Sequence, residues 1–159
     1  MPKIYGTAEN VETIAKTLIP MYHPELASAR MTWVFVDVGS KKNGKPVYGK
    51  VRKVSGILEY LLASDFIFEI AMDSWNELTE HQRHALLDHL LERCTGEESE
   101  KDGSMSWKMR EPDVQEFAAV LRRQGAWHED LNTFASVAKQ INIEEIANEV
   151  SEEVTQGES

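Results

Sequence analysis

The apolar positions of this chain change period along its length, and the changes mark its elements. From Asn10 to Ile19, Val11, Ile14, Ala15 and Leu18 recur at the i, i+3, i+4, i+7 spacing of one helix face. Pro20 lacks the amide hydrogen that a helix interior needs, so it stops this helix or lies just past its end. A second short helical stretch falls near Pro24 to Ala29. Met31 to Val38 is rich in β-branched and aromatic residues and predicts a strand. Lys41 to Lys45, with Asn43-Gly44 at its centre, predicts a hairpin turn, and Val47 to Val54 the returning strand, with Lys50 and Arg52 on one side. Gly56 to Ala63 fits a helical turn or an irregular link. Asp65 to Ala71, nearly all apolar, predicts a buried strand, and Asp73 to Leu78 a helical turn with Trp75 packed inward.

The clearest helix runs from Thr79 to Cys94. Thr79 and Gln82 form a capping box, Glu80 suits the positive end of the helix dipole, and Leu86, Leu87, Leu90, Leu91 and Cys94 share one face. Thr95 to Ser106 is polar, acidic and glycine-containing, which predicts a surface loop with room for a short hairpin at Asp102-Gly103. Asp113 and Glu116 have capping-box spacing and predict a helix ending before Gly125. A last compact helix, about Glu129 to Lys139, places Leu131, Phe134, Ala135 and Ala138 on a face that would close the domain. Trp75, Trp107 and Trp127 read as core. In the acidic stretch beyond, Ile143, Ile146, Ala147, Val150 and Val154 form a narrow stripe, which predicts a docking helix or one that forms only on binding.

Composition narrows the function classes. A hydrophobic content of 42% and four tryptophans suit a folded domain with a real core. One cysteine, Cys94, excludes an internal disulfide and suits a reducing compartment. No apolar run approaches a membrane span and the N-terminus carries no secretory pattern, so a cytoplasmic protein with no membrane partner is expected. The net charge of −10 lies wholly in the second half, where eight basic residues face eighteen acidic ones. A bulk polyanion-binding surface is thereby disfavoured. A local basic patch remains, because Lys41, Lys42, Lys45, Lys50, Arg52 and Lys53 crowd together; it would contact nucleic-acid phosphates or simply keep a loop solvated.

A strand, a turn and then a helix bearing histidine is how zincins display H-E-x-x-H, in which two histidines one turn apart hold zinc and the glutamate polarises its water. Here the five residues are His89-Leu90-Leu91-Glu92-Arg93. His89 has the first ligand's chemistry; Leu90 stands at the base and Arg93 at the second ligand. A second set, His84, Asp88 and Glu92 with His81 close by, lies along the outer face of the same helix. It would gather a metal or form a solvated polar face with intrahelical contacts. His23 and His128 fall beside helix ends or loops, with nothing to mark them as ligands. Cys94 sits in the apolar stripe and reads as buried rather than reactive.

From about Tyr22 to Ala138 the chain resembles the phage metallopeptidase family, small SprT-like zincin domains of bacteriophages and prophages. The matching stretches are Tyr48 to Val54, Asp65 to Trp75, Leu86-Leu87-Asp88-His89, Trp107 to Arg110, Asp113 to Val120 and Arg122 to Trp127. The resemblance implies an α+β, zincin-like single domain over residues 1–140, a small sheet packed with helices around the helix at about 79–94, followed by an acidic tail over 141–159. It places the first metal ligand at His89, the catalytic Glu at Leu90, the second ligand at Arg93 and the third at Pro112. Leucine and proline offer no donor, and arginine stays protonated, so no bound zinc and no catalytic residue are expected unless a rearranged site exists. The function this implies is non-catalytic binding of a host or phage protein in the bacterial cytoplasm, such as an anti-defence or host-takeover role, with Ile143, Ile146, Val150 and Val154 as a docking tail. The rivals are a nucleic-acid-binding or DNA-mimicking protein and a metallopeptidase with a rearranged metal site.

Overall fold

The structure is a computed structural model and describes residues 4–113, 115, 117–127 and 129–141. It has mixed α+β content and two compact units, residues 1–111 and 112–159. The first unit holds a four-stranded sheet in the order β1 (Tyr5–Thr7), β2 (Met31–Val36), β6 (Phe66–Ala71), β5 (Gly49–Lys53). β2 and β6 run parallel at its centre; β1 and β5 are antiparallel edges. Alternation along β6 buries Phe66, Phe68 and Ile70 completely, and directly across the ladder Trp33 stacks on Phe68 with ring centroids 3.8 Å apart. The core against this face includes Val11, Ala15 and Leu18 of α1 (Glu9–Tyr22) and Leu87, Leu90 and Leu91 of α4 (Glu80–Glu92).

The parallel pair is tied at its start by a buried carboxylate. Asp65 accepts the backbone N–H of Arg30 at 2.8 Å and the guanidinium Nη2 at 3.0 Å, while its own N–H donates to the Arg30 carbonyl at 2.7 Å. Burial alone would raise the Asp65 pKa, but the Arg30 side-chain and backbone hydrogen bonds and the guanidinium charge outweigh it and hold the carboxyl below its ordinary value.

Several sequence expectations are corrected. Pro20 lies inside α1, which continues to Tyr22; only one amide hydrogen is lost, in the last turn, and the His23 N–H closes that turn onto the Ile19 carbonyl. Asn43-Gly44 does turn a hairpin, with φ of 53° and 76°, but its strands are only β3 (Lys41–Lys42) and β4 (Lys45–Pro46). The strand after it, β5, pairs with β6 rather than returning along β2, because the buried β6 takes a partner on each side. The ambiguous stretch after β5 contains a helix, α2 (Ile57–Leu62). The strand β6 leads directly into α3 (Met72–Glu77), which buries Trp75. The Thr79 capping box is present, but α4 ends at Glu92 and Cys94 opens β7 (Cys94–Glu98).

The expected loop at Thr95 to Ser106 is largely a hairpin of β7 with β8 (Met105–Met109). Its charges are what disguised it. Gly96 pairs with Trp107, and a Cβ at Gly96 would meet that indole at 2.4 Å, so only glycine admits the ring, which packs on Phe66.

In the second unit, Asp113 does not start a helix: α5 spans Ala118–Gln124 with Phe117 at its N-cap, and Gly125 at φ 69° ends it. Residues 129–141 are helical, and of the expected face Leu131 alone is buried, with Phe134, Ala135 and Ala138 exposed. Trp127 is exposed rather than core. Glu116, His128 and the tail positions Ile143, Ile146, Val150 and Val154 lie outside the described residues. Among the described residues no helix is long and apolar enough to cross a membrane.

The Asp65 clamp sets a pH dependence. Because its folded pKa is lowered, its stabilisation is present above the ordinary value of 3.8 and is lost as pH falls through the folded value. Asp65→Asn is expected to cost about 1–3 kcal/mol at neutral pH, a gap that narrows as the pH falls below 3.8 and through the lowered folded value. Urea denaturation of both proteins across this range checks it, and a gap independent of pH would refute the assignment.

Candidate functional site

The helix α4 presents three different faces, and its sequence spacing decides which residue meets what. Leu87, Leu90 and Leu91 face the sheet. Leu90 is 2% exposed, and its Cδ1 would lie 3.0 Å from a Cβ placed on Gly49, so the missing side chain at Gly49 lets β5 lie close against this helix. At its start α4 is held by Arg83, whose Nε donates to the Trp75 carbonyl at 3.0 Å and whose guanidinium lies over the indole.

Asp88 and Glu92, one turn apart, converge on His23 at the junction of α1 with the short 3-10 turn Pro24–Leu26. His23 is 1% exposed. Its Nε2 lies 2.6 Å from Asp88 Oδ1 and its Nδ1 3.5 Å from Glu92 Oε2. Two carboxylates in the last turns of a helix oppose its dipole, and here each has a partner: His23 for both, and Arg110 for Glu92 at 3.2 Å. His84 is not part of this group, so the metal set considered from sequence is replaced by His23, Asp88 and Glu92. The fit to zinc is poor. Ligands about 2.0–2.2 Å from one ion stand about 3 Å apart or more, whereas Nε2 and Oδ1 are at hydrogen-bond distance, and the two carboxylates approach opposite nitrogens of one ring. The group is a polar tie between α1 and α4.

His89 is exposed on the outer side of α4. Arg93 stands at the C-cap, where a cation suits the helix dipole; its Nη2 lies 3.6 Å from Glu111, and its Nε is buried without a hydrogen-bond partner among the described residues. Pro112 is exposed and belongs to the second unit. Cys94, beside Arg93, is buried; burial pushes its thiol up to about 12, with the Arg93 charge opposing, so it is no nucleophile at neutral pH.

A model of the family described as "Putative phage metallopeptidase" matches residues 4–152. The chain belongs to that family. Comparison with curated proteins and with solved structures finds no significant match. On α4, the positions that the sequence resemblance gives to the base and the second ligand are a core leucine and a cation. At those positions the residues present would not fit a catalytic zinc: a hydrocarbon side chain supplies no base, and a protonated guanidinium repels a divalent cation.

The basic cluster divides. Arg52 lies 3.8 Å from Glu69, whereas Lys41, Lys42 and Lys50 turn with Arg93 toward one concavity that Lys45 and Lys53 do not line. The hairpin is held in place: Gly39 donates its N–H to Asp73 at 3.1 Å, Val47 donates to the Ser40 carbonyl at 2.9 Å, and a Cβ at Gly39 would collide with Ala71 at 2.7 Å. Sequence reasoning missed His23 because its hydrogen-bond partner Asp88 is 65 residues away. It missed the approach of Arg93 to the lysines for the same reason; the one local signal was the glycine at Gly49.

His23→Ala is expected to lower stability by about 2–4 kcal/mol, from the lost charge-assisted hydrogen bond to Asp88 and the space left behind, as read by urea denaturation. A loss under about 0.5 kcal/mol would show that the tie between α1 and α4 is unimportant.

Proposed function

We propose that this chain is a non-catalytic member of the phage metallopeptidase family that acts by binding another protein. The observation that carries the reading is the pair Leu90 and Arg93 on α4: a buried hydrocarbon where the resemblance puts the base, and a guanidinium where it puts a zinc ligand. Support for a protein as the partner comes from α2. It buries none of its residues, and Ile57, Leu58, Tyr60, Leu61 and Leu62 are all exposed, Tyr60 by 85%. Five exposed apolar side chains on one six-residue helix are the kind of surface that marks a contact with another protein. A phage or host protein with an apolar groove is the occupant proposed, which agrees with an anti-defence or host-takeover role.

The rival reading, a rearranged metal site at His23, Asp88 and Glu92, makes a different forecast. Protein purified without chelator is expected to carry less than about a tenth of an equivalent of zinc by elemental analysis. Near-stoichiometric zinc that disappears in His23→Ala would favour the rearranged site and overturn the non-catalytic reading. For the partner, a host-lysate capture is run with the full chain and with the Ile57→Ser, Leu61→Ser double variant. A protein retained by the first and released by the second is expected. Retention that ignores the substitutions, or no retention, would contradict α2 as the contact.

A further inference from the structure

Lys41 and Lys42 on the hairpin, Lys50 on the edge strand β5 and Arg93 at the end of α4 line one concavity of about 460 Å³, together with Ser40. No carboxylate is among its lining residues. Among the described residues, no carboxylate lies within ion-pair distance of Lys41, Lys42 or Lys50. Two neighbouring acids have cationic partners: Glu69, opposite Lys50 in the ladder, lies 3.8 Å from Arg52, and Glu111 lies 3.6 Å from Arg93 Nη2. Three exposed lysines with no carboxylate within ion-pair distance among the described residues, gathered with Arg93 around a hollow, repel one another and make the hollow attractive to an anion.

Arg93 supplies a second observation: its Nε is buried and makes no hydrogen bond among the described residues, and a charged donor is costly to leave so. We propose that this concavity binds phosphate groups. A phosphate carries up to two charges and spreads its acceptors tetrahedrally, so it can accept from the Arg93 fork and from lysines on two different strands at once; a carboxylate offers two coplanar oxygens to fewer donors. The volume lies within the roughly 300–1,000 Å³ of small-molecule sites and exceeds what one phosphate fills, which fits a polyphosphate, a nucleotide or a stretch of nucleic-acid backbone. The cation that takes the place of a zinc ligand thus becomes the base of an anion site.

The inference shares Arg93 with the non-catalytic reading and rests on it, so zinc is measured on the same sample. The full chain is titrated by calorimetry at low ionic strength with sodium pyrophosphate and, separately, with a short single-stranded oligothymidylate. Saturable binding is expected, weakened about tenfold or more by Arg93→Gln and by the pair Lys42→Gln, Lys50→Gln, and unchanged by Lys16→Gln on α1. Tighter binding of pyrophosphate than of the oligonucleotide points to a free phosphate compound as the natural ligand, and the reverse to nucleic-acid backbone. The two lysines are exposed, so their variant keeps the test standing if Arg93→Gln fails to fold. Binding of neither probe to zinc-free protein, or binding indifferent to both variants, overturns the phosphate site alone. Zinc-loaded protein overturns the non-catalytic reading instead.

Discussion

The packing of α4 on the sheet is the constraint from which the rest of the molecule follows. Leu87, Leu90 and Leu91 must face the layer of Phe66, Phe68, Ile70 and Trp33, and Gly49 must lack a side chain for β5 to lie over Leu90. Once that face is set, helical spacing assigns the others. Asp88 and Glu92 turn toward α1, where the buried His23 receives them, and Arg93 emerges beside the edge strand and its lysines. A charge at position 90 would have to be buried against Gly49, so the core favours the leucine that the chemistry of a hydrolase would forbid.

The faces of α4 therefore carry different chemistry. The polar tie to His23 holds the helix against the end of α1, while the positions that the sequence resemblance would give to the base and the second ligand carry a hydrocarbon and a cation. Membership of the phage metallopeptidase family does not by itself decide the chemistry of the cleft, because the same fold can position a guanidinium as well as a metal. On the proposed reading, a fixed cation in place of a bound one would keep the local field positive and change what the cleft attracts.

Much of the fold was legible in the sequence where local rules decide. The Thr79 and Gln82 cap, the Asn43-Gly44 turn, the β-branched run of β2 and the apolar run of β6 all took the expected form. Long-range pairing was not legible: nothing in Gly49 to Lys53 says that β6 rather than β2 will be its neighbour. Charge hid β7 and β8, because a strand paired on an exposed face tolerates Glu97 and Lys108 as a cross-strand ion pair. At the site, Leu90 and Arg93 were readable by spacing, but His23 was not, since a lone histidine after a helix gains meaning only when Asp88 arrives beside it. The lysines were visible as a cluster. Which of them share a hollow depended on the fold.

The central claim is that the cleft beside Arg93 has exchanged metal chemistry for anion binding. The most direct measurement is anomalous scattering from crystals of the full chain soaked with zinc and, in a second set, with tungstate as a phosphate analogue. The account predicts a tungstate peak among Lys41, Lys42, Lys50 and Arg93 and no zinc peak at His89 or at His23. Ordered zinc on α4, or tungstate found only away from that concavity, would contradict it.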